Sequence, residues 1–422
     1  MRILWVKAGR LLPVDTGGKI RSFNLLRQLA ARHEVTLLSY YGGAVDEEYE
    51  SELRRELPGA EAVCTGAPEG SALAQGLHYL SRLPRPAPYA VTKFTSPVVR
   101  RLVENWLGDG RFDVAVCDFL SASLNFPRRL ATPSVLFQHN VESALWRRQA
   151  RHEPNPLKRA AFKMEAAKMS AYERAAVARF HHVIAVSEHD RGLMSEMTDA
   201  ARITVVPTGV DLGLYRAAFD GSGAEPDGPA SPLVVFLGSM DWEANVDGVD
   251  YFCRDIWPSV LARVPRARFR IVGRNPHPRV QRLASESVEV TGTVPSVVEH
   301  LREAAVFVVP LRVGGGTRLK IFEAMAAGKA VVSTTVGAEG LEVTHGRDVL
   351  LADDAASFAD AVVTLLTDGG RRRELERAAA ELAARHDWSA VVGRFEGALL
   401  KAIDAARTEG VTAGAVAREL NV

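Results

Sequence analysis

The sequence predicts an α/β protein built from two doubly wound parallel-sheet domains. Three observations carry that prediction. Short β-branched runs alternate with longer helical patterns from end to end, as in parallel strands covered by helices. At 422 residues the chain is too long for one core and suits two domains, each of about 200 residues. Glycine turns stand between strand and helix in both halves, at Gly17-Gly18 and at 314–316. Such turns bring backbone N–H groups and a helix N-terminus close to a phosphate.

The elements follow from the apolar patterning. In the first half, strands are expected at Ile3–Val6, Val35–Ser39, Val114–Cys117, Val135–Gln138 and Val183–Val186. In the second they fall at Val234–Leu237, Phe269–Val272, Val288–Val290, Val306–Val309, Ala330–Val332 and Val349–Leu351. Helices are expected from Ile20 to Ala31, across 155–179, across 371–386, and from Trp388 to about Ala406. Residues 219–232 are poor in large apolar side chains and rich in Gly, Pro and Asp, the composition of a surface loop between the halves. Open α/β sheets bind ligands beyond the C-terminal ends of their strands. Polar residues at those ends are therefore the candidates.

Composition excludes several classes. Lys and Arg number 52 against 51 Asp and Glu, a net charge of +1, so no overall field draws in nucleic acid. Cys64, Cys117 and Cys253 lie in or beside apolar segments without metal-type spacing. Buried reduced thiols in a cytoplasmic protein are the expectation. The opening MRILWVKAGR has the pattern of a first strand and not of a leader. No segment approaches the roughly 18–20 uninterrupted apolar residues of a membrane span.

The densest chemistry lies between Val308 and Ser333, VVPLRVGGGTRLKIFEAMAAGKAVVS. A strand ends at Pro310, a glycine turn follows, and a helix is expected from near Thr317 to Gly328. Lys320 and Glu323 are three apart and share one face of that helix. They offer a cation for phosphate and a carboxylate for a ribose diol.

This segment resembles the signature of the family-4 group of retaining glycosyltransferases, which have the GT-B fold. In that family two glutamates separated by seven residues, followed by Ala-Met-Ala and a glycine, hold the sugar nucleotide. The second matches Glu323; the first falls on Gly315 and is missing. The likeness continues in the family's order through Gly17-Gly18, FQHN at 137–140, AVSEHD at 185–190, VVPTGVD at 205–211 and VVFLGSMDW at 234–242. It runs on through IVGR at 271–274, VTGTVP at 290–295 and VGAEGL at 336–341.

The resemblance implies two Rossmann-like domains facing across a cleft, with the last helix returning to the first domain. Residues 1–210 plus 387–422 would form the acceptor side, and 211–386 the nucleotide-sugar side. Glu323 would hold the donor's ribose. Gly315, Gly316, Thr317, Arg318 and Lys320 would hold its phosphates, with Arg318 and Lys320 countering the charge of the leaving group. Gly238 and Ser239 form the phosphate-facing loop of that domain, and Arg274 is a further cation for it. Gly292 and Thr293 resemble the segment that meets the nucleobase. Where relatives carry an Arg and a Lys after the Gly238 loop, this chain has DWEAN at 241–245.

In the first half, Gly17 and Gly18 either approach a phosphate or acceptor or make a tight turn without a ligand. Lys19 and Arg21 beside them have the pattern of solvated charges at a helix start. His139 is either a satisfied structural residue or, as the family implies, a neighbour of the transferred sugar. Ser187 and Asp190 fit a helix cap.

No Asp-x-Asp is present, so no metal is expected. Nor is any cofactor expected beyond the nucleotide sugar as co-substrate. The expected helix across 155–179 mixes Lys158, Arg159, Lys163, Lys168 and Arg174 with Phe162, Met164 and Met169. It is either a solvated domain helix or a peripheral contact with anionic lipid at the inner face of the cytoplasmic membrane. The resulting expectation is a metal-independent, retaining glycosyltransferase. It would move a sugar from a nucleotide-diphosphate donor to a hydroxyl of a small-molecule, glycan or lipid-linked acceptor. A sugar-nucleotide epimerase of the same fold is one alternative. A non-catalytic sugar-nucleotide-binding protein is the other, raised by Gly315.

Overall fold

The computed structural model describes residues 1–66, 79, 81–82, 84–215, 232–313 and 319–419. The chain divides into two compact units, Met1–Pro207 with Val391–Val422, and Thr208–Ala390. The first crossing falls inside the VVPTGVD segment. Of the expected loop at 219–232, all but Pro232 lies outside the described residues, as do Gly315, Gly316, Thr317 and Arg318.

The described residues of the first unit form a seven-stranded sheet. Its strands are β1 (Arg2–Ala8), β2 (Glu34–Tyr41), β3 (Ala60–Cys64), β4 (Val114–Asp118), β5 (Ser134–Phe137), β6 (His182–Ala185) and β7 (Ile203–Val205). They lie in the order β3-β2-β1-β4-β5-β6-β7, with every pairing parallel. Ile3 to Val6 and Val114 to Asp118 are buried throughout, because helices cover both faces of a parallel sheet. Two of the seven were not expected, β3 and β7, and both are edge strands. AEAVC lacks a β-branched run and ITV has three residues, so neither carries a strong pattern.

Among its described residues the second unit has six strands: β8 (Leu233–Leu237), β9 (Arg268–Val272), β10 (Val288–Gly292), β11 (Val306–Val309), β12 (Ala330–Ser333) and β13 (Leu350–Leu351). Their order is β10-β9-β8-β11-β12-β13, again all parallel. Each sheet therefore reverses its winding direction beside its first strand, β1 in one unit and β8 in the other. That switch point is where such sheets form ligand crevices.

The last helix, Trp388–Glu419, starts in the second unit and continues into the first. At its start Val210 N–H donates to His386 O at 2.8 Å, and Trp388 lies against Gly209 so closely that a Cβ there would stand 2.5 Å from the indole. Further along, Phe395 stacks on Trp5 at 5.3 Å and meets Phe137 edge-on at 5.2 Å. All three rings are fully buried. This anchors the returning helix to β1 and β5.

Burial raises the thiol pKa of Cys117 and takes that of Cys253 to about 12. All three cysteines are free, and Cys64 and Cys253 are only partly buried. Among the described residues, no helix is long and apolar enough to cross a membrane. Phe395→Ala should destabilise the protein by about 3–5 kcal/mol, the cost of emptying a packed aromatic site. Chemical denaturation measures this, and an unchanged midpoint would show that the returning helix does not help hold the first sheet.

Candidate functional site

Each unit gathers polar side chains where its central strands end. In the first unit the pairing of β1 with β4 sets Lys7 opposite Asp118. Trp5 and Lys7, two apart, share one face of β1. His139 follows β5 by two residues. The Gly17–Ala30 helix opens beside these strand ends and lowers Arg21 and Ser22 onto them. The result is a buried ionic cluster. Lys7, Arg21, Ser22, Asp118 and His139 are each under 5% exposed.

Asp118 is the common acceptor. Its Oδ2 takes hydrogen bonds from Trp5 Nε1 at 3.0 Å, Lys7 Nζ at 3.1 Å and Ser22 Oγ at 2.7 Å. Its Oδ1 takes one from His139 Nε2 at 2.7 Å. Both carboxylate oxygens are thus engaged, Oδ2 by three donors and Oδ1 by one. Burial alone would raise the Asp118 carboxyl, but Lys7, His139 and Ser22 hold it well below the usual carboxylate range.

Arg21 contacts the other ring nitrogen of His139, Nδ1, at 2.9 Å. A guanidinium has no acceptor, so Nδ1 must accept and the imidazole proton must sit on Nε2. Burial pushes His139 down to about 3 despite Asp118, so the ring is neutral. Phe119 stacks on it at 3.7 Å and Phe137 lies at 4.2 Å. Burial likewise lowers Arg21 to about 10, against the pull of Asp190 and Asp118. Arg21 is thus not the solvated helix-start charge expected from its position. It is a buried link between the His139 ring and the charge of Asp190. Lys19 does lie at the surface side, paired with Asp15 at 3.0 Å.

Gly18 has a packing reason. A Cβ there would stand 2.6 Å from the Phe119 ring, which a left-handed backbone at Phe119, φ 69°, turns toward the helix start. Gly17 is exposed at the first helical position. Next to this cluster, Glu173 accepts the backbone N–H groups of Glu142 and Ser143 at 2.8 and 3.0 Å, capping the Glu142–His152 helix. Burial and the Glu173 carboxylate push Glu142 up to about 7, with Lys93 opposing. Ser187 caps the Glu188–Ser195 helix, accepting from Asp190 N at 3.1 Å.

In the second unit Lys320, from the helix Leu319–Ala326, reaches the end of β8. Lys320 Nζ donates to Asn245 Oδ1 at 3.0 Å and lies 4.2 Å from the centre of the Phe236 ring. Asn245 Nδ2 in turn donates to Ser239 O at 2.8 Å. Gly238 makes room for both, since a Cβ would fall 2.6 Å from Asn245 Nδ2 and 2.8 Å from Lys320 Nζ. Arg274 Nε donates to Ser239 Oγ at 3.1 Å, and Ser239 Oγ donates to Asp241 at 2.6 Å. Gly238, Ser239, Arg274 and Lys320 thus come together around Asn245.

Glu323 lies one turn along the helix and hydrogen-bonds the Tyr215 hydroxyl. Burial raises its carboxyl, opposed by the Lys320 charge. Gly292 ends β10 at φ +71° with its carbonyl 3.3 Å from Gly273 N, and Thr293 beyond it is exposed.

Sequence reasoning missed Lys7, Asp118, Glu173, Asn245 and Tyr215 as members of these centres. A usable signal existed for two of them. Lys7 and Asp118 are charged residues ending otherwise apolar central strands.

Asp118→Asn should cost about 3–5 kcal/mol of stability, because it leaves buried Lys7 without its counter-charge. Denaturation at neutral pH measures that. His139 has a folded pKa of about 3 against an ordinary 6.5, so between those values the unfolded chain binds a proton that the folded site refuses. Stability from this site is full above pH 6.5 and is lost as pH falls toward 3. The stability gap between wild type and His139→Asn should therefore narrow on acidification through that window. A constant gap would mean the folded ring protonates normally.

Comparison with known proteins gives these centres a family. Residues 16–214 match the model "Glycosyltransferase Family 4" and 231–368 match "Glycosyl transferases group 1". A phosphatidyl-myo-inositol mannosyltransferase of Mycobacterium leprae is 28% identical over 219 residues, half of this chain and 57% of that protein. A D-inositol 3-phosphate glycosyltransferase of Pseudarthrobacter chlorophenolicus is 30% identical over 45% of this chain and 48% of its own length. The chain spans about half the length of these curated relatives. Among solved structures, sucrose-phosphate synthase of Thermosynechococcus elongatus superposes with a TM-score of 0.67 at 17% identity, over 96% of this chain and all of that one. Anabaena Alr3699/HepE in complex with UDP gives 0.65 at 16% identity, over 94% and 99%. With two family models in succession and structural likeness along nearly the whole chain, the protein belongs to the group 1 and family 4 glycosyltransferases and has their two-domain GT-B fold.

Proposed function

We propose that the protein transfers a sugar from a nucleotide-diphosphate donor to an acceptor hydroxyl, with retention at the anomeric carbon and without a metal ion. The observation that supports this most is the seat of Lys320. A neutral amide, Asn245, holds its ammonium group beside the Gly238 turn at the end of β8, and Arg274, which follows β9, bonds Ser239 of that turn. Cations fixed in advance where a diphosphate departs stabilise the transition state without reorganisation. Arg318 belongs to this set by its sequence position. Gly315, Gly316 and Thr317 would add backbone N–H groups to the phosphates.

Glu323 is assigned the ribose diol. It would exchange its hydrogen bond with Tyr215 for the two ribose hydroxyls, or share it with them. With both reacting groups on one face, a leaving phosphate oxygen takes the acceptor's proton, so no carboxylate base is needed. The acceptor is assigned to the first unit. There His139 would bond a sugar hydroxyl only by releasing Arg21, since Asp118 holds its Nε2 proton. The solved Anabaena likeness carries UDP, and the curated relatives carry inositol-based names. A nucleoside diphosphate sugar and a polyol or glycan acceptor fit both.

Incubation with a panel of nucleotide sugars and acceptors tests the reading, with the product's anomeric configuration read by NMR. Conversion of donor without acceptor would favour an epimerase instead. Lys320→Ala should lower turnover about 10²–10³-fold, the usual loss for one charge-stabilising donor. Glu323→Ala should weaken nucleoside diphosphate binding by about 1.5–3 kcal/mol, measured by calorimetry. Unchanged affinity in a folded Glu323→Ala protein removes that residue from the ribose. Turnover should persist in EDTA; an abrupt loss restored by a divalent ion would overturn the metal-free step.

A further inference from the structure

The helices Glu142–His152 and Pro156–Arg179 form an antiparallel hairpin on the first unit, and a recess opens between them. Its volume is about 330 Å³, and it is lined by Arg147, Ala150 and Arg151 from the first helix and Lys163, Ala166, Ala167 and Ser170 from the second. The spacing explains the convergence. Positions 147, 150 and 151 share one helical face, as do 163, 166, 167 and 170. The floor is alanine methyl and the rim is cationic. Among the described residues Arg147 reaches only Ser170, at 3.5 Å, and Arg151 and Lys163 have no hydrogen bond or ion pair.

Local composition accentuates this. From Arg147 to Lys168 the chain carries seven Arg and Lys against Glu153 and Glu165 alone. Neither acid pairs with the three rim cations. Glu153 accepts from Asn155 N at 2.9 Å, while Glu165 is 2% exposed, accepts from Tyr89 N at 2.8 Å and pairs with Lys168 at 3.8 Å. The rest of the chain is nearly balanced in charge, so the excess is a property of this hairpin. Like charges gathered around a recess without a counter-ion repel one another, and an anion between them removes that cost.

The tip of the hairpin carries a second signal. Asn155 caps the second helix, accepting from Leu157 N and Lys158 N, and all residues from 154 to 160 are exposed. Leu157 is 82% exposed and Met164, two turns on along the same face, 38%. Aliphatic side chains standing among Lys158, Arg159 and Lys163 are the composition of a segment that lies in a bilayer interface. No exposed aromatic ring accompanies them, as base stacking would require.

We propose that this recess binds the phosphate of an anionic membrane lipid, with Leu157 entering the bilayer surface beside it. The recess is large enough for a headgroup, its rim supplies Arg147, Arg151 and Lys163 to the phosphate, and its alanine floor accepts the glycerol or chain methylenes. Juxtaposed cations and anionic lipid attract at short range and are screened by salt. The proposal stands apart from the transferase reading, because its test reads binding and not turnover.

The full chain is mixed with vesicles of phosphatidylcholine alone, or of phosphatidylcholine with phosphatidylglycerol, in about 0.15 M salt, and the bound fraction is measured by sedimentation. Wild type should bind the anionic vesicles at least tenfold more tightly than the neutral ones. Arg151→Glu with Lys163→Glu should abolish most of that preference, and Leu157→Ser should weaken binding severalfold. All three side chains are exposed, so circular dichroism and melting should match wild type. Arg266→Glu with Arg282→Glu, an equal charge change on exposed residues of the second unit, should leave binding intact. Equal loss in that control would reduce the effect to net charge and overturn the site. Inorganic phosphate that raises the melting temperature through Arg151 and Lys163, with no vesicle binding, would overturn the lipid as the source.

Discussion

The carboxylate of Asp118 is the point on which the first unit is organised. It ends a fully buried strand and accepts from Trp5 and Lys7 of β1, from Ser22 of the Gly17–Ala30 helix and from His139 after β5. Three strands and a helix are thereby fixed in register at one atom pair. A buried ion pair adds little net stability compared with apolar packing, since desolvation offsets most of the attraction. What it adds here is definition: this arrangement gives both carboxylate oxygens donors from β1, from beyond β5 and from a helix at once. The charges also balance. Asp118 and Asp190 face Lys7 and Arg21, with a neutral imidazole between the two pairs.

The same constraint explains two neighbours that look unrelated. Phe119 follows Asp118 and takes a left-handed backbone, which carries its ring over His139. The ring then needs the space at position 18, and only glycine leaves it. A glycine pair before a helix therefore has a packing cause in this chain at Gly18, whatever ligand Gly17 meets.

Most of the fold was legible in the sequence because buried parallel strands are continuous apolar runs, and eleven of them stood out. The edge strands β3 and β7 did not, since a strand with one neighbour needs no such run. Polar centres were harder. Position next to a glycine turn made Arg21 look solvated, yet its burial depends on His139, which is 118 residues away. Glu323 and Lys320 could be placed on one helix face from spacing alone. Their partners Tyr215 and Asn245 lie far off in sequence and carry no local pattern. Spacing reports what shares an element; only packing reports what an element meets.

Asn245 illustrates the difference. From sequence, DWEAN after the β8 turn was notable for lacking the cations that relatives carry. In three dimensions its asparagine bridges the Ser239 carbonyl and the Lys320 ammonium, so a cation does reach the turn, from the helix after β11. The acids of the same segment are directed elsewhere: Asp241 to Ser239 and Asn275, and Glu243 to Arg279. A carboxylate at 245 would have positioned Lys320 equally well, but it would have cancelled the charge. A neutral amide orients the ammonium and leaves its field intact, which is the condition for meeting an anion that gains charge as it leaves.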